Sequence, residues 1–201
     1  MIETTKVIEL FNRWAPDWDA DMVRNEEIIR TILDNAHVSE GKTVLDVATG
    51  TGVLIPDYFA RRVASVTAVD ISDEMIRIAR SKFHENNLHL FCCDVFDLPE
   101  AKQYDCIVVY NAFPHFPDPA KLIAYLTRLL KAGGTLTVAH GMPRAALVAH
   151  HSGAAKQISI ELLHEDDLAE LMAEGLTVCT KISDDRMYQV CGRKEIHQAD
   201  L

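Results

Sequence analysis

The sequence has no C-x-x-C pair and an odd number of cysteines, Cys92, Cys93, Cys106, Cys179 and Cys191. That combination excludes a disulfide framework and a zinc knuckle, so the thiols are expected to stay reduced. Cys92 and Cys93 lie in a short apolar run and are read as buried strand residues, the usual fate of free cysteine. Clusters of Lys or Arg are missing too. Thirty acidic against 20 basic residues leave a formal charge of −10, a balance that repels a phosphate backbone and argues against a nucleic-acid partner. No apolar run approaches the roughly 18 residues needed to span a membrane, and residues 1–6 lack the basic start and apolar core of a signal peptide. The expectation is a cytoplasmic protein with no membrane partner. Repeats, low-complexity stretches and Gly/Ser/Pro linkers are absent, so a length of 201 residues fits one domain over 1–201.

What is present is an alternation of periods. Apolar residues make up 48% of the chain, enough for a sizeable core. Short β-rich runs at 44–47, 66–70, 88–93, 106–110 and 135–139 are separated by helical segments. Ser72 caps one predicted helix, whose first turn holds Asp73 and Glu74 and whose face carries Ile76, Ala79 and Phe83. Another carries Leu122, Leu126, Leu129 and Leu130 and is expected to stop at Gly133-Gly134. Continuous apolar runs joined by helices predict a doubly wound α/β fold, a mostly parallel sheet buried on both faces. A helix near 166–174 precedes two β-rich runs, 176–182 and 187–193, whose short connection forces an antiparallel C-terminal hairpin. Residues 1–40 are helical with an interruption at Ala15-Pro16, flanked by Phe11, Trp14 and Trp18. They read either as a helix packed on the sheet edge or as a lid placing aromatics over a ligand.

The sharpest feature is Asp46-Val47-Ala48-Thr49-Gly50-Thr51-Gly52, which leaves the first strand for a helix expected to begin at Pro56. Glycines let the backbone approach a ligand closely, and the strand ends are where an open α/β sheet binds one. A dinucleotide fingerprint starting at Gly50 would need Gly or Ala at position 55, where Ile55 stands; a phosphate-binding loop would need a Lys after Gly52. Asp46 would repel a pyrophosphate and suits a ligand with a cationic amine.

On these residues the sequence resembles the class I S-adenosylmethionine-dependent methyltransferases, a small-molecule branch similar to the quinone-biosynthesis and type-11 enzymes. Val44 to Gly52 is similar to the family's first motif, in the variant with Ala48 at the first glycine position. The resemblance implies a Rossmann-like seven-stranded sheet, S-adenosylmethionine as cofactor, and cofactor contacts from Asp46, Ala48, Thr49, Gly50, Gly52, Asp70, Ile71, Asp94, Val95 and Asn111. It gives Asp70 the ribose hydroxyls and Asp94 the adenine amine, and carboxylates suit both because charge-assisted hydrogen bonds are the stronger kind. Tyr104 to Val109 and Leu130 to Leu136 are similar to the family's fourth strand and the turn into its fifth, and residues 11–19 to the N-terminal lid. The implied layout is a lid over 1–40, a cofactor-binding core over 41–140, an acceptor-side segment over 141–164, and a last helix and hairpin over 165–201.

Methyl transfer from a sulfonium is an in-line displacement, for which a protein supplies orientation, dryness and sometimes a base. The fourth strand ends in Asn111-Ala112-Phe113-Pro114-His115, without the Pro-Pro-Tyr of nucleic-acid and protein amino-group methyltransferases, so a small-molecule acceptor is expected. Asn111 and His115 are the catalytic candidates, His115 either as a base near neutral pH or as a structural residue bonding backbone. Trp14, Trp18, His115, His140, His150 and His151 are expected around the acceptor. Five of nine histidines fall between 115 and 164; the spacing of His140, His150 and His151 matches no standard metal set, and they are polar pocket residues or hold a metal-linked substrate. A binding module without turnover is the alternative function. A small oxidoreductase is disfavoured by Ile55 and by the lack of Tyr-x-x-x-Lys. Oligomeric state and the atom methylated are left open.

Overall fold

The computed structural model describes residues 2–20, 22–150 and 158–196. Helix α1 (Thr4–Trp14), a 3₁₀ turn over Ala15–Asp17 and α2 (Glu26–Asn35) precede a run of alternating elements: β1 (Thr43–Val47), α3 (Ile55–Ala60), β2 (Ser65–Asp70), α4 (Asp73–Lys82), β3 (Leu88–Cys92), β4 (Tyr104–Tyr110), α5 (Pro119–Arg128) and β5 (Leu130–His140). Then follow α6 (Arg144–His150), α7 (Glu165–Ala173), β6 (Thr177–Ser183) and β7 (Tyr188–Arg193). The seven strands form one sheet in the order β3-β2-β1-β4-β5-β7-β6. Pairings from β3 to β5 are parallel, and β7 inserts antiparallel between β5 and β6.

Both faces of the central strands are covered, which is why they read as unbroken apolar runs. Leu45, Val47, Ile107, Val109, Leu136 and Val138 meet Leu122 and Leu126 of α5 and Leu168 and Met172 of α7. On the other face Val44, Val66, Ala68 and Val108 meet Ile29, Ile32 and Leu33 of α2 and Tyr58 of α3. Strand order reverses direction between β1 and β4, which opens a crevice at their carboxyl ends.

Three expectations are corrected. Cys92 is exposed and Cys93 only half-buried: β3 is an edge strand of the sheet, and Cys93 lies just past its end. Gly133 and Gly134 do not stop a helix: α5 ends at Arg128 and both glycines lie inside β5. They serve a register shift between β4 and β5, where Gly133 takes φ +76° and a Cβ at Gly134 would sit 2.9 Å from the Asp105 carbonyl. Phe83 lies beyond α4, in extended backbone, while Ser72 caps that helix as expected by accepting from the Met75 N–H.

Candidate functional site

The crevice opens into a cavity of about 660 Å³ lined by the β1 loop, the ends of β2 and β4, the segment after β3 and the N-terminal helix. Its floor is the glycine loop. Ala48 and Gly50 both take left-handed backbone, φ 54° and 57°, a conformation that favours glycine and is held here by a hydrogen bond from the Thr49 N–H to the Val69 carbonyl. Gly52, at φ +91°, is packed: a Cβ would lie 2.6 Å from Phe83 and 2.7 Å from Ile55. A Cβ on Gly50 would meet Trp18 Nε1 at 3.9 Å, ordinary contact, so this glycine lies on the cavity wall beneath Trp18.

Asp46 stands behind the loop and not on the cavity wall. It is 2% exposed, and its oxygens accept from Thr49 Oγ1 at 2.6 Å and from Tyr58 Oη at 3.1 Å. Burial pushes its carboxyl up to about 7 against those two hydroxyls. Asp70, at the end of β2, accepts from the Gly50 N–H at 2.8 Å and the Ser72 N–H at 2.9 Å. Burial raises it as well, and the backbone donors hold it back. It ties the loop to the start of α4 and still reaches the cavity; each carboxylate oxygen has a second acceptor site. Asp94 lies on the same wall with Ile71 and Val95, one oxygen capping the following turn through the Phe96 N–H at 3.1 Å.

On the opposite side Asn111, at φ 55°, accepts from the Gly141 N–H at 2.9 Å and so joins the ends of β4 and β5. His115 lines the cavity with Nδ1 3.1 Å from the Ile158 carbonyl. The roof comes from α1: Phe11 packs edge-on against the His115 ring, centroids 5.0 Å apart, and Trp18 sits over Gly50. The helix is fastened to the core by polar contacts. Asn12 accepts from Ser72 Oγ at 2.5 Å and donates to Asp73 at 2.7 Å, while Asp19 accepts from Thr51 Oγ1 at 2.5 Å and pairs with Lys82 at 2.7 Å.

Of the residues expected here, Ala48, Thr49, Gly50, Asp70, Ile71, Asp94, Val95, Asn111, His115 and Trp18 line the cavity. Trp14 does not; it stacks on Trp18 at 6.5 Å and borders a separate surface recess with Arg13 and Asp17. His140 is buried beside Tyr188, ring centroids 6.1 Å apart, away from the cavity wall. His150 ends α6, and its side chain and His151 lie outside the described residues. Among the described residues no cluster of three or more His, Cys, Asp or Glu could hold a metal ion, and no helix is long and apolar enough to cross a membrane. Sequence reasoning missed Arg24, which reaches the cavity while bonding Asp57 at 2.5 Å, Glu26 at 2.6 Å and the Val53 carbonyl. Its only sequence signal was a lone basic residue between the lid and α2.

Residues 44–134 match the family model described as a methyltransferase domain. The chain is 33% identical over 147 residues to the ubiquinone biosynthesis O-methyltransferase of Xanthomonas oryzae pv. oryzae, covering 67% of this chain and 58% of that one. To the malonyl-[acyl-carrier protein] O-methyltransferase of Acetivibrio thermocellus it is 30% identical over 135 residues, 65% of this chain and 48% of the relative. The chain thus spans about half the length of these curated relatives. Among solved structures, a chain from the complex between the Haloferax volcanii Trm112 methyltransferase activator and a methyltransferase superposes with TM-score 0.80 at 22% identity, covering 96% of this chain and 99% of that one. Magnesium protoporphyrin IX methyltransferase of Synechocystis PCC 6803 does so with TM-score 0.69 at 18% identity over 96% and 99%. The likenesses to solved structures show the fold, α/β and Rossmann-like, with the sheet order described above.

Proposed function

We propose that this chain is a methyltransferase that transfers a methyl group from S-adenosylmethionine to a small-molecule acceptor. The observation that carries the reading is the convergence of a left-handed glycine loop, Asp70 and Asp94 on one wall of a roofed cavity. The residues fit the cofactor. Ala48, Thr49 and Gly50 line the cavity, so a ligand in it lies against the loop. Asp70 has acceptor capacity left for two adjacent hydroxyls, and Asp94 for an amine. Ile71 and Val95 offer apolar surface to a flat base, and Arg24 offers a cation to a carboxylate. When bound, the cofactor supplies an electrophilic methyl on a sulfonium; the protein's part is to hold, orient and exclude water.

The rest of the cavity belongs to the acceptor. Val7, Phe11, Phe116 and Met142 give it an apolar wall, suited to an apolar or aromatic body, with His115 positioned to take a proton. The relatives' names specify oxygen acceptors, and we extend that preference to this chain. Its five free thiols fit a reducing compartment such as the cytoplasm.

Calorimetric titration with S-adenosylhomocysteine tests the reading, with NADH as the control. Binding is expected for the first and none for the second, and Asp70→Ala should weaken it at least about tenfold, the loss of one charge-assisted hydrogen bond. Preference for NADH, or affinity untouched by the substitution, sinks it. With an acceptor in hand, His115→Ala should lower kcat by about a hundredfold, the typical share of a general base, and leave affinity for S-adenosylhomocysteine unchanged.

A further inference from the structure

The stretch that leaves β4 lines the cavity with His115, Phe116 and Pro117, and the first turn of α5 adds Lys121. Lys121 and Tyr125 stand four residues apart and so share a face of that helix. The Tyr125 hydroxyl donates to the Leu98 carbonyl, and its ring packs against Phe96 with centroids 5.1 Å apart. Phe96 is on the cavity wall, and the Lys121 ammonium lies over it, 4.5 Å from the ring centre. A ring face attracts a cation and leaves its N–H donors for a further partner. Among the described residues, the Asp, Glu, Lys and Arg side chains that line the cavity are Asp70, Asp94, Arg24 and Lys121. Arg24 is bonded to Asp57 and Glu26, whereas the Lys121 ammonium enters no ion pair among the described residues. Asp118, the nearest acid in sequence, accepts from the Lys121 backbone N–H at 2.9 Å. A cation in the first turn also opposes the helix dipole, so the stability of α5 does not account for it. Lys121 is exposed as well as cavity-lining, which sets it at the rim.

We propose that the acceptor is an aromatic acid whose carboxylate pairs with Lys121 at the rim of the cavity, and that this lysine selects it. On the reading proposed above, Asp70 and Asp94 serve the cofactor, and it is on that reading that Lys121 falls to the acceptor. An acceptor held at the rim by its charge has Phe11, Phe116 and Met142 as apolar wall for its ring, with His115 on the same stretch of chain as the lysine. The charges balance for a carboxylate, since one ammonium neutralises one negative charge. A phosphate monoester would bring a second negative charge to a cavity that already holds two aspartates, in a chain of net charge −10. An uncharged aromatic acceptor would fill the apolar wall and leave the ammonium without a counter-ion.

Protein saturated with S-adenosylhomocysteine is titrated calorimetrically with benzoate, cinnamate and naphthoate, each beside its primary amide, and with phenyl phosphate. At low ionic strength at least one acid should bind about tenfold more tightly than its amide, the worth of one charge-assisted contact. Raising the salt to about 1 M, where screening reaches roughly 3 Å, should erase most of that preference. Lys121→Met keeps the stem over Phe96 and removes the charge, and it should bind the acid no better than the amide. Lys121→Arg should retain the preference. Both variants should bind S-adenosylhomocysteine as the wild type does. A wild type that does not bind S-adenosylhomocysteine sinks the cofactor reading and this proposal with it. With that ligand bound, four results overturn the role of Lys121 alone: acids that bind no better than their amides or not at all, a preference that survives Lys121→Met, a tighter grip on phenyl phosphate than on any acid, or weaker S-adenosylhomocysteine binding in Lys121→Met.

Discussion

At the scale of single residues, Asp46 shares its two oxygens between the hydroxyls of Thr49 and Tyr58 and has no other polar partner in the core. Removing a carboxylate from water favours its protonated form, and here the carboxyl is pushed up to about 7 from an ordinary 3.8. A carboxyl raised on folding contributes stability that is complete below its unfolded pKa and is lost as the pH rises through the folded one. The wild type should therefore lose stability steadily from about pH 4 to pH 7, the range in which the unfolded carboxyl is ionised and the folded one still holds its proton. Asp46→Asn, which keeps an acceptor and carries no charge, should lack that decline. Denaturant unfolding of both proteins at pH 4.5 and 7.5 checks this: the variant should gain on the wild type by roughly one to a few kcal/mol across that interval. Asp105 does not confuse the comparison. Lys131 and Thr43 overcome its burial and bring it down to about 2, so its contribution is lost only below pH 4. Parallel unfolding curves for the two proteins would mean that Asp46 titrates like an exposed carboxylate.

At the scale of elements, α1 buries only Val7 in its own right and owes its position to the polar contacts of Asn12 and to Asp19 just beyond it. Asn12 both accepts from Ser72 and donates to Asp73, at the N-terminus of the helix that follows Asp70. Asn12→Ala should cost about 1 kcal/mol of stability and raise the dissociation rate of S-adenosylhomocysteine several-fold in stopped-flow displacement, because the roof loses its tether while the floor stays intact. An unchanged dissociation rate would make α1 a packed helix and not a lid. The sequence left open a helix packed on the sheet edge or a lid over a ligand; the structure sets one side of the helix on α4 and Phe11 against His115. Elements set by local signals were legible, among them the Ser72 cap, the Asp70 strand end and the hairpin around residues 183–187. What depended on neighbours was not. The burial of β3 failed because an edge strand and a central strand can carry the same apolar run, and Gly133-Gly134 was read as a helix stop because a close backbone approach to the Asp105 carbonyl leaves no trace in periodicity. Within the site, the strand-end acids Asp70 and Asp94 were placed through the family resemblance, but the turn of Asp46 away from the cavity, the burial of His140 and the arrival of Arg24 are tertiary events.

At the scale of the whole molecule, the sheet separates the residues proposed to bind the cofactor from a polar cluster at its other end. The glycine loop, Asp70, Asp94 and Asn111 occupy the carboxyl ends of the parallel strands, whereas Asp105, at the opposite end of β4, accepts from the Thr43 N–H at 2.8 Å, Thr43 Oγ1 at 2.7 Å and Lys131 Nζ at 2.8 Å. Six residues of extended chain put Asp105 about 20 Å from Asn111, too far for a shared partner. Asp105→Ala leaves the Thr43 N–H without its acceptor and should cost about 2 kcal/mol, lowering Tm by several degrees for a domain of this size, with affinity for S-adenosylhomocysteine changed less than twofold. Asp94→Asn does the reverse: the amide oxygen still caps the turn, so Tm should hold, while the lost charge weakens the ligand about tenfold. The double variant should show both losses, additive within about 0.5 kcal/mol. A drop in affinity from Asp105→Ala alone, measured well below the melting range, would mean that β4 transmits strain along its length and that the two ends of the sheet act as one unit.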